Sequence, residues 1–186
     1  MHSLYVLAAI IIIVVIWAVV SYNGLITLMH QVDNAWQQID VQLKRRYDLI
    51  PNLVNTVKGA MEFEKETLSR VIEARAKAVS AVTPADKGMA EGLLTQALGK
   101  LFALVEQYPD LKSNKNILQL QEELVSTENR IGFARQFYND IAARFNIKQT
   151  VFPAVIIASV FNFRKAEYFQ VDASDKAVPR VDLGMK

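Results

Sequence analysis

The sequence predicts an all-α protein, with one N-terminal transmembrane helix that continues into an elongated antiparallel helical bundle. Three observations carry this. Residues 4–20 read LYVLAAIIIIVVIWAVV, with no charged side chain. Apolar residues then recur at the three- and four-residue spacing of a helix face through most of the chain. No stretch of useful length alternates as a half-buried strand would.

The first element is the anchor, residues 1–23. With Ser3, Ser21 and Tyr22 the apolar run reaches roughly 20 residues, or about 30 Å of helix, which matches the hydrocarbon core of a bilayer. No charged side chain appears before Asp33, and Tyr5, Trp17 and Tyr22 lie towards the two ends, where amphipathic rings settle at the membrane interface. A cleaved signal peptide would call for a basic leader, a shorter apolar stretch and a small-residue cleavage site. The run has no Lys or Arg before it and ends in VVSYNG, so a retained anchor is expected. The first basic cluster is Lys44-Arg45-Arg46, beyond the anchor, and the positive-inside tendency favours an external N-terminus with the bundle in the cytoplasm over a periplasmic bundle.

The bundle is expected over residues 24–170. Leu25, Met29, Val32, Trp36, Ile39, Leu43 and Ile50 form one helix face in a coiled-coil-like pattern that carries on from the anchor. Pro51 disturbs it, by a kink or a break at DLIPN; the stripe resumes at Leu53, Val54, Val57, Met61, Leu68 and Val71 and runs on to Val79, which favours the kink. Thr83-Pro84 is a helix start, with Thr83 as N-cap and proline at the first helical position. The helix that follows carries Met89, Leu93, Leu94, Ala97, Leu98, Leu101, Leu104, Val105 and Tyr108, and Pro109 ends it. The segment PDLKSNKN reads as a loop in which Ser113 or Asn114 can cap a long helix over about residues 115–146. A short segment over residues 151–163 is apolar nearly all round and too short to span a bilayer. It must be covered by the intramolecular core, by another subunit or by the bilayer surface, and Phe152, Ile156, Ile157 and Phe161 are candidates for such an interface. Residues 171–186 turn polar and are expected to be loosely ordered.

Two charges fall on apolar stripes. The heptad 36, 39, 43, 46, 50 holds Arg46, and the stripe 117, 120, 124, 128, 131 holds Glu128. Burial of either alone would cost several kcal/mol. A structural ion pair between Arg46 (or Arg45) and Glu128 would resolve this and fix helix register; the alternative is that Arg46 snorkels to the rim.

Longer blocks carry a resemblance. AWQQIDVQLKRRYDLIPNLVNTVK from Ala35 to Lys58, then YPDLKSNKNILQLQEELVSTENRI from Tyr108 to Ile131, ARQFYND, Phe152-Pro153 and Pro179-Arg180-Val181-Asp182 stand in the order and spacing of the LemA family, which the chain resembles over nearly its whole length. The pattern departs at Ala60-Met61-Glu62-Phe63-Glu64, where a tyrosine and a histidine would be expected, so any ligand role of those rings does not carry over. The resemblance implies a single-pass protein of the bacterial inner (plasma) membrane with an antiparallel helical bundle. A specialised branch of LemA-like proteins is associated with magnetosome formation.

Catalysis is not expected. There is no cysteine, and the only histidines, His2 and His30, have no carboxylate partner at a suggestive spacing. Glu122 and Glu123 lack a histidine three residues on, Glu62, Glu64 and Glu66 spread round a helix, and the seven glycines form no phosphate loop. Neither a metal nor another cofactor is expected. Twenty-one basic against nineteen acidic residues, without a single-signed stripe, give no nucleic-acid footprint. What remains is surface: Gln37, Gln38 and residues 139–144 could pack against neighbours. The expectation is a membrane-anchored, self-assembling scaffold that organises the membrane, with the lipid bilayer and further copies of the chain as partners. The alternative is an accessory subunit that binds another membrane protein, such as a protease.

Overall fold

The computed structural model describes residues 1–59, 61 and 64–169; the expected tail, residues 171–186, lies outside them, as do Ala60, Glu62 and Phe63. The elements are α1 (His2–Lys58), α2 (Lys65–Ser80), α3 (Pro84–Val105), α4 (Pro109–Lys112), α5 (Lys115–Thr150) and α6 (Ala154–Val160). Among the described residues every regular element is a helix, so the class is all-α. The chain falls into two compact units: Met1–Gln42 with Arg130–Tyr168, and Leu43–Asn129 together with Phe169.

In the first unit the apolar start of α1 has no buried residue from Leu4 to Val20, the condition of a helix whose side chains face lipid. Beyond it α1 packs antiparallel on α5. Trp36 meets Tyr138 edge-on at 5.4 Å, and nearer the anchor a Cβ on Gly24 would come within 2.8 Å of Lys148 Nζ. Glycine there lets the lysine tip rest on the α1 backbone. Leu25, Val32, Ala35 and Ile39 from α1 and Ile131, Tyr138, Ile141 and Phe145 from α5 are buried. α6 closes at Asn162, whose φ of 53° is the left-handed conformation that asparagine tolerates at a helix end. The chain then returns along α5. Asn146 donates from Nδ2 to the Ala166 carbonyl (2.9 Å) and accepts the Ala166 N–H at Oδ1 (2.8 Å), and the Tyr138 hydroxyl donates to the Glu167 carbonyl (2.8 Å).

In the second unit α2 and α3 pack on one another. Their buried faces are Leu68, Val71, Ala74 and Ala78 on α2, and Glu91, Leu94, Leu98, Leu101 and Val105 on α3. Thr83 caps α3 by accepting the Asp86 N–H at 3.1 Å, and Asn114 does the same for the Asn116 N–H at the start of α5 (2.9 Å).

Three boundaries differ from the sequence reading. α1 runs through Pro51 and stops at Lys58, so the stripe expected to continue to Val79 is divided between α1 and α2. Residues 109–112, read as loop, form a helical turn, because Pro109 at the first helical position has its φ preset and no N–H to satisfy. α5 continues to Thr150, one turn past the expected end.

Candidate functional site

The most concentrated polar chemistry lies inside the second unit. Arg46 projects from α1 into a site that is almost closed to water: its side chain is 3% exposed. Its Nη1 donates to Glu91 Oε2 at 2.8 Å, and its Nη2 donates to Thr95 Oγ1 at 2.8 Å. Glu91, from α3, is fully buried. Its second oxygen, Oε1, accepts the Tyr47 hydroxyl, which also lies 3.2 Å from the Ala78 carbonyl and has one proton to give. Glu128 of α5 reaches the same Nη1 with Oε2 at 2.7 Å, but without an aligned hydrogen bond, and its side chain is 36% exposed. Arg45 points outward and sits 3.8 Å from Glu123. The structure thus brings Arg46 and Glu128 together and adds the carboxylate that sequence reasoning missed. The one signal for Glu91 is that the heptad of Leu94, Leu98, Leu101 and Val105, extended one step back, lands on it. The apolar stripe of this helix also takes in Met89 and Leu93, both of which are exposed.

A second feature follows from Pro51. Proline cannot donate to the carbonyl four residues back, which is that of Tyr47. That carbonyl accepts from Arg75 Nε of α2 at 2.7 Å. The substitution of a side-chain donor for the missing backbone donor lets the helix pass the proline without an orphaned acceptor.

The described residues include no cluster of three or more His, Asp or Glu that could hold a metal ion. Arg46, Glu91, Thr95 and Tyr47 are joined by hydrogen bonds, most of them charge-assisted, and Glu128 adds an ion pair to Arg46.

The remaining candidates are apolar. In the first unit Val41, Phe133 and Phe137 are exposed, Phe133 by 74%, and with Gln38, Gln42, Arg130 and Ala134 they line a groove of about 450 Å³ between α1 and α5. The Gln42 Oε1 is buried at its floor without a hydrogen-bond partner. Of the four residues expected at an interface near α6, Phe152, Ile156 and Phe161 are exposed, Phe152 by 81%. Ile157, the fourth, is buried within the chain. It turns inward with Ala154 and Ala158 and is only 8% exposed, because one face of even this nearly all-apolar helix must pack on its own unit.

The LemA family model matches residues 35–183. The chain belongs to the LemA family. The matched region begins one residue before Trp36 and takes in the Arg46 group, both faces of the groove and α6. Among the relatives of this LemA-family chain is Protein LemA of Metamycoplasma hominis, 30% identical over 165 residues, covering 87% of this chain and 72% of that protein. Magnetosome protein MamQ 1 of Paramagnetospirillum magneticum is 29% identical over 175 residues, 80% of this chain and 64% of that protein. Magnetosome protein MamQ of Magnetospirillum gryphiswaldense is 28% identical over 174 residues with the same shares. The chain therefore spans somewhat less than two thirds of the length of the MamQ relatives it matches. Among the described residues one helix is long and apolar enough to cross a bilayer, and this is a membrane protein of the LemA type.

Proposed function

We propose that this LemA-family protein is a non-enzymatic, membrane-anchored scaffold that self-associates side by side and so organises the bacterial membrane. The observation that carries the proposal is the groove between α1 and α5 in the first unit. Phe133, Phe137 and Val41 leave aromatic and aliphatic surface in water. A second copy is the occupant that fits an anchored chain. Every copy carries its own span, so neighbours already share one plane and need only a modest lateral contact to associate. The buried polar group at Arg46 supports a structural role for the interior, because Arg46, Glu91, Thr95 and Tyr47 hydrogen-bond among themselves. The relatives named as magnetosome proteins lend support to a part in membrane organisation.

The Lys44-Arg45-Arg46 cluster favours the orientation with the N-terminus outside and the helical bundle beyond the anchor in the cytoplasm. The chain has no cysteine, so single cysteines at Gln37 or Lys44 can be tested in intact cells with a membrane-impermeant maleimide; labelling there would reverse the orientation.

The experiment for self-association is the native mass of the full-length protein purified alone in detergent. A homo-oligomer is expected; a monomer would favour an accessory subunit that binds a different membrane protein.

A further inference from the structure

We infer that the outward face of α6, with Val151, Phe152, Ile156, Val160 and Phe161, is seated in the surface of an anionic bilayer as a second, non-spanning membrane contact beside the anchor. The decisive geometry is the tie between α6 and the end of the apolar run. The Phe161 ring lies 4.6 Å from the Tyr22 ring, and Phe163 lies 6.0 Å from it. Tyr22 is two residues beyond Val20, so it stands about 3 Å along the helix from the last apolar side chain of the span. The polar interface of a bilayer is about 6 Å deep on each side. A ring in contact with Tyr22 therefore falls inside that layer, and α6, whose last residue Val160 directly precedes Phe161, ends there.

The distribution of side chains on α6 agrees. Ala154, Ile157 and Ala158 face inward. The opposite face carries Ile156 and Val160, flanked by Val151, Phe152 and Phe161, all exposed. The outward face of a helix in water would carry polar residues there; one that rests in the acyl boundary carries aliphatic and aromatic ones.

Charge identifies the lipid. Residues 141–166 contain Arg144, Lys148, Arg164 and Lys165 and no acidic side chain, and residues 1–32 contain none either. The nearest acids within the unit are Asp33, Asp140 and Glu167, farther along the chain from the anchor. Lys148 Nζ is held against the backbone at Gly24, four residues or about 6 Å past Val20, at headgroup depth. Lys148 beside Gly24, and Arg164, whose carbonyl accepts from Gln149 Nε2 at 3.4 Å, put cations beside the exposed apolar rings, which fits anionic headgroups above acyl chains. A second copy docked through the same face would bring its own cations against these, which disfavours that occupant.

The absence of native cysteine makes the test direct. Phe152→Cys, Ile156→Cys and Val160→Cys, each labelled with an environment-sensitive fluorophore, are compared with Gln37→Cys in full-length protein reconstituted in phosphatidylcholine–phosphatidylglycerol nanodiscs. Labels on α6 are expected to show blue-shifted emission, loss of intensity with headgroup-borne nitroxide lipids and protection from aqueous iodide, while Gln37→Cys shows the reverse. Replacement of phosphatidylglycerol by phosphatidylcholine should weaken the nitroxide quenching at α6. Two results overturn the inference. Iodide access at α6 equal to that at Gln37 means the face lies in water, and protection from both iodide and nitroxide means protein covers it.

Discussion

Arg75 donates from Nε to the Tyr47 carbonyl at 2.7 Å, in the place where residue 51 would donate if it were not proline. A proline inside a helix removes one hydrogen bond and leaves the acceptor four residues back unmatched. Here the acceptor is matched from α2. Arg75→Met is expected to destabilise the protein by about 1–3 kcal/mol, the cost of an unsatisfied buried acceptor. Pro51→Ala restores a backbone donor, so the double variant should recover most of that loss. Chemical denaturation of the four proteins of this cycle measures it. Equal effects of Arg75→Met in the parent and in the Pro51→Ala background would mean that the arginine does not serve the proline.

The buried charges divide into one strong pair and one weak one. Arg46 and Glu91 are both closed off from water, and removal of either leaves a buried charge with less than its full set of partners. Arg46→Ala or Glu91→Ala should cost about 3–5 kcal/mol. Glu128 is a third exposed, and solvent screens it, so Glu128→Gln should cost about 1 kcal/mol or less. Urea midpoints of the three variants test this ranking. A loss at Glu128 equal to that at Glu91 would make Glu128 the main counter-charge.

Tyr138 predicts an alkaline signature. Burial, and then the charges of Glu167 and Asp33, raise its phenol above the usual 10.0. A raised pKa in the folded state favours the neutral phenol there. Its contribution is full below pH 10 and disappears as pH climbs through the folded value. Tyr138→Phe should therefore be less stable at neutral pH by about 1 kcal/mol, from the lost hydrogen bond to Glu167. It should also lose less stability than the parent between neutral pH and strong alkali. Parallel stability profiles for the two proteins above pH 10 would contradict the assignment.

Periodicity made the helices legible, and capping chemistry made two starts legible. Thr83-Pro84 and Asn114 act locally, so the sequence alone suffices to find them. The end of α1 was less legible, because an apolar stripe persists across residues 53–79 whether one helix or two carry it. The Pro51 passage could not be read at all without α2, since the compensating donor comes from a distant arginine. Arg46 and Glu128 stood out as charges on apolar stripes. Glu91 did not, because α3 has apolar residues on more than one face and offers several stripes to choose from. The inward turn of Ile157 has the same cause: where a segment is apolar all round, its pattern does not say which side is covered.

The scaffold proposal is tested most directly by the native mass of full-length protein in nanodiscs or detergent, compared with that of Phe133→Asp. Phe133 is 74% exposed, so the change should leave each chain folded while it places charge in the groove between α1 and α5. The account predicts a homo-oligomer for the parent and a shift towards monomer for Phe133→Asp, with helical content unchanged by circular dichroism. A parent protein that is monomeric at every concentration, or an oligomer whose mass Phe133→Asp leaves untouched, would contradict it.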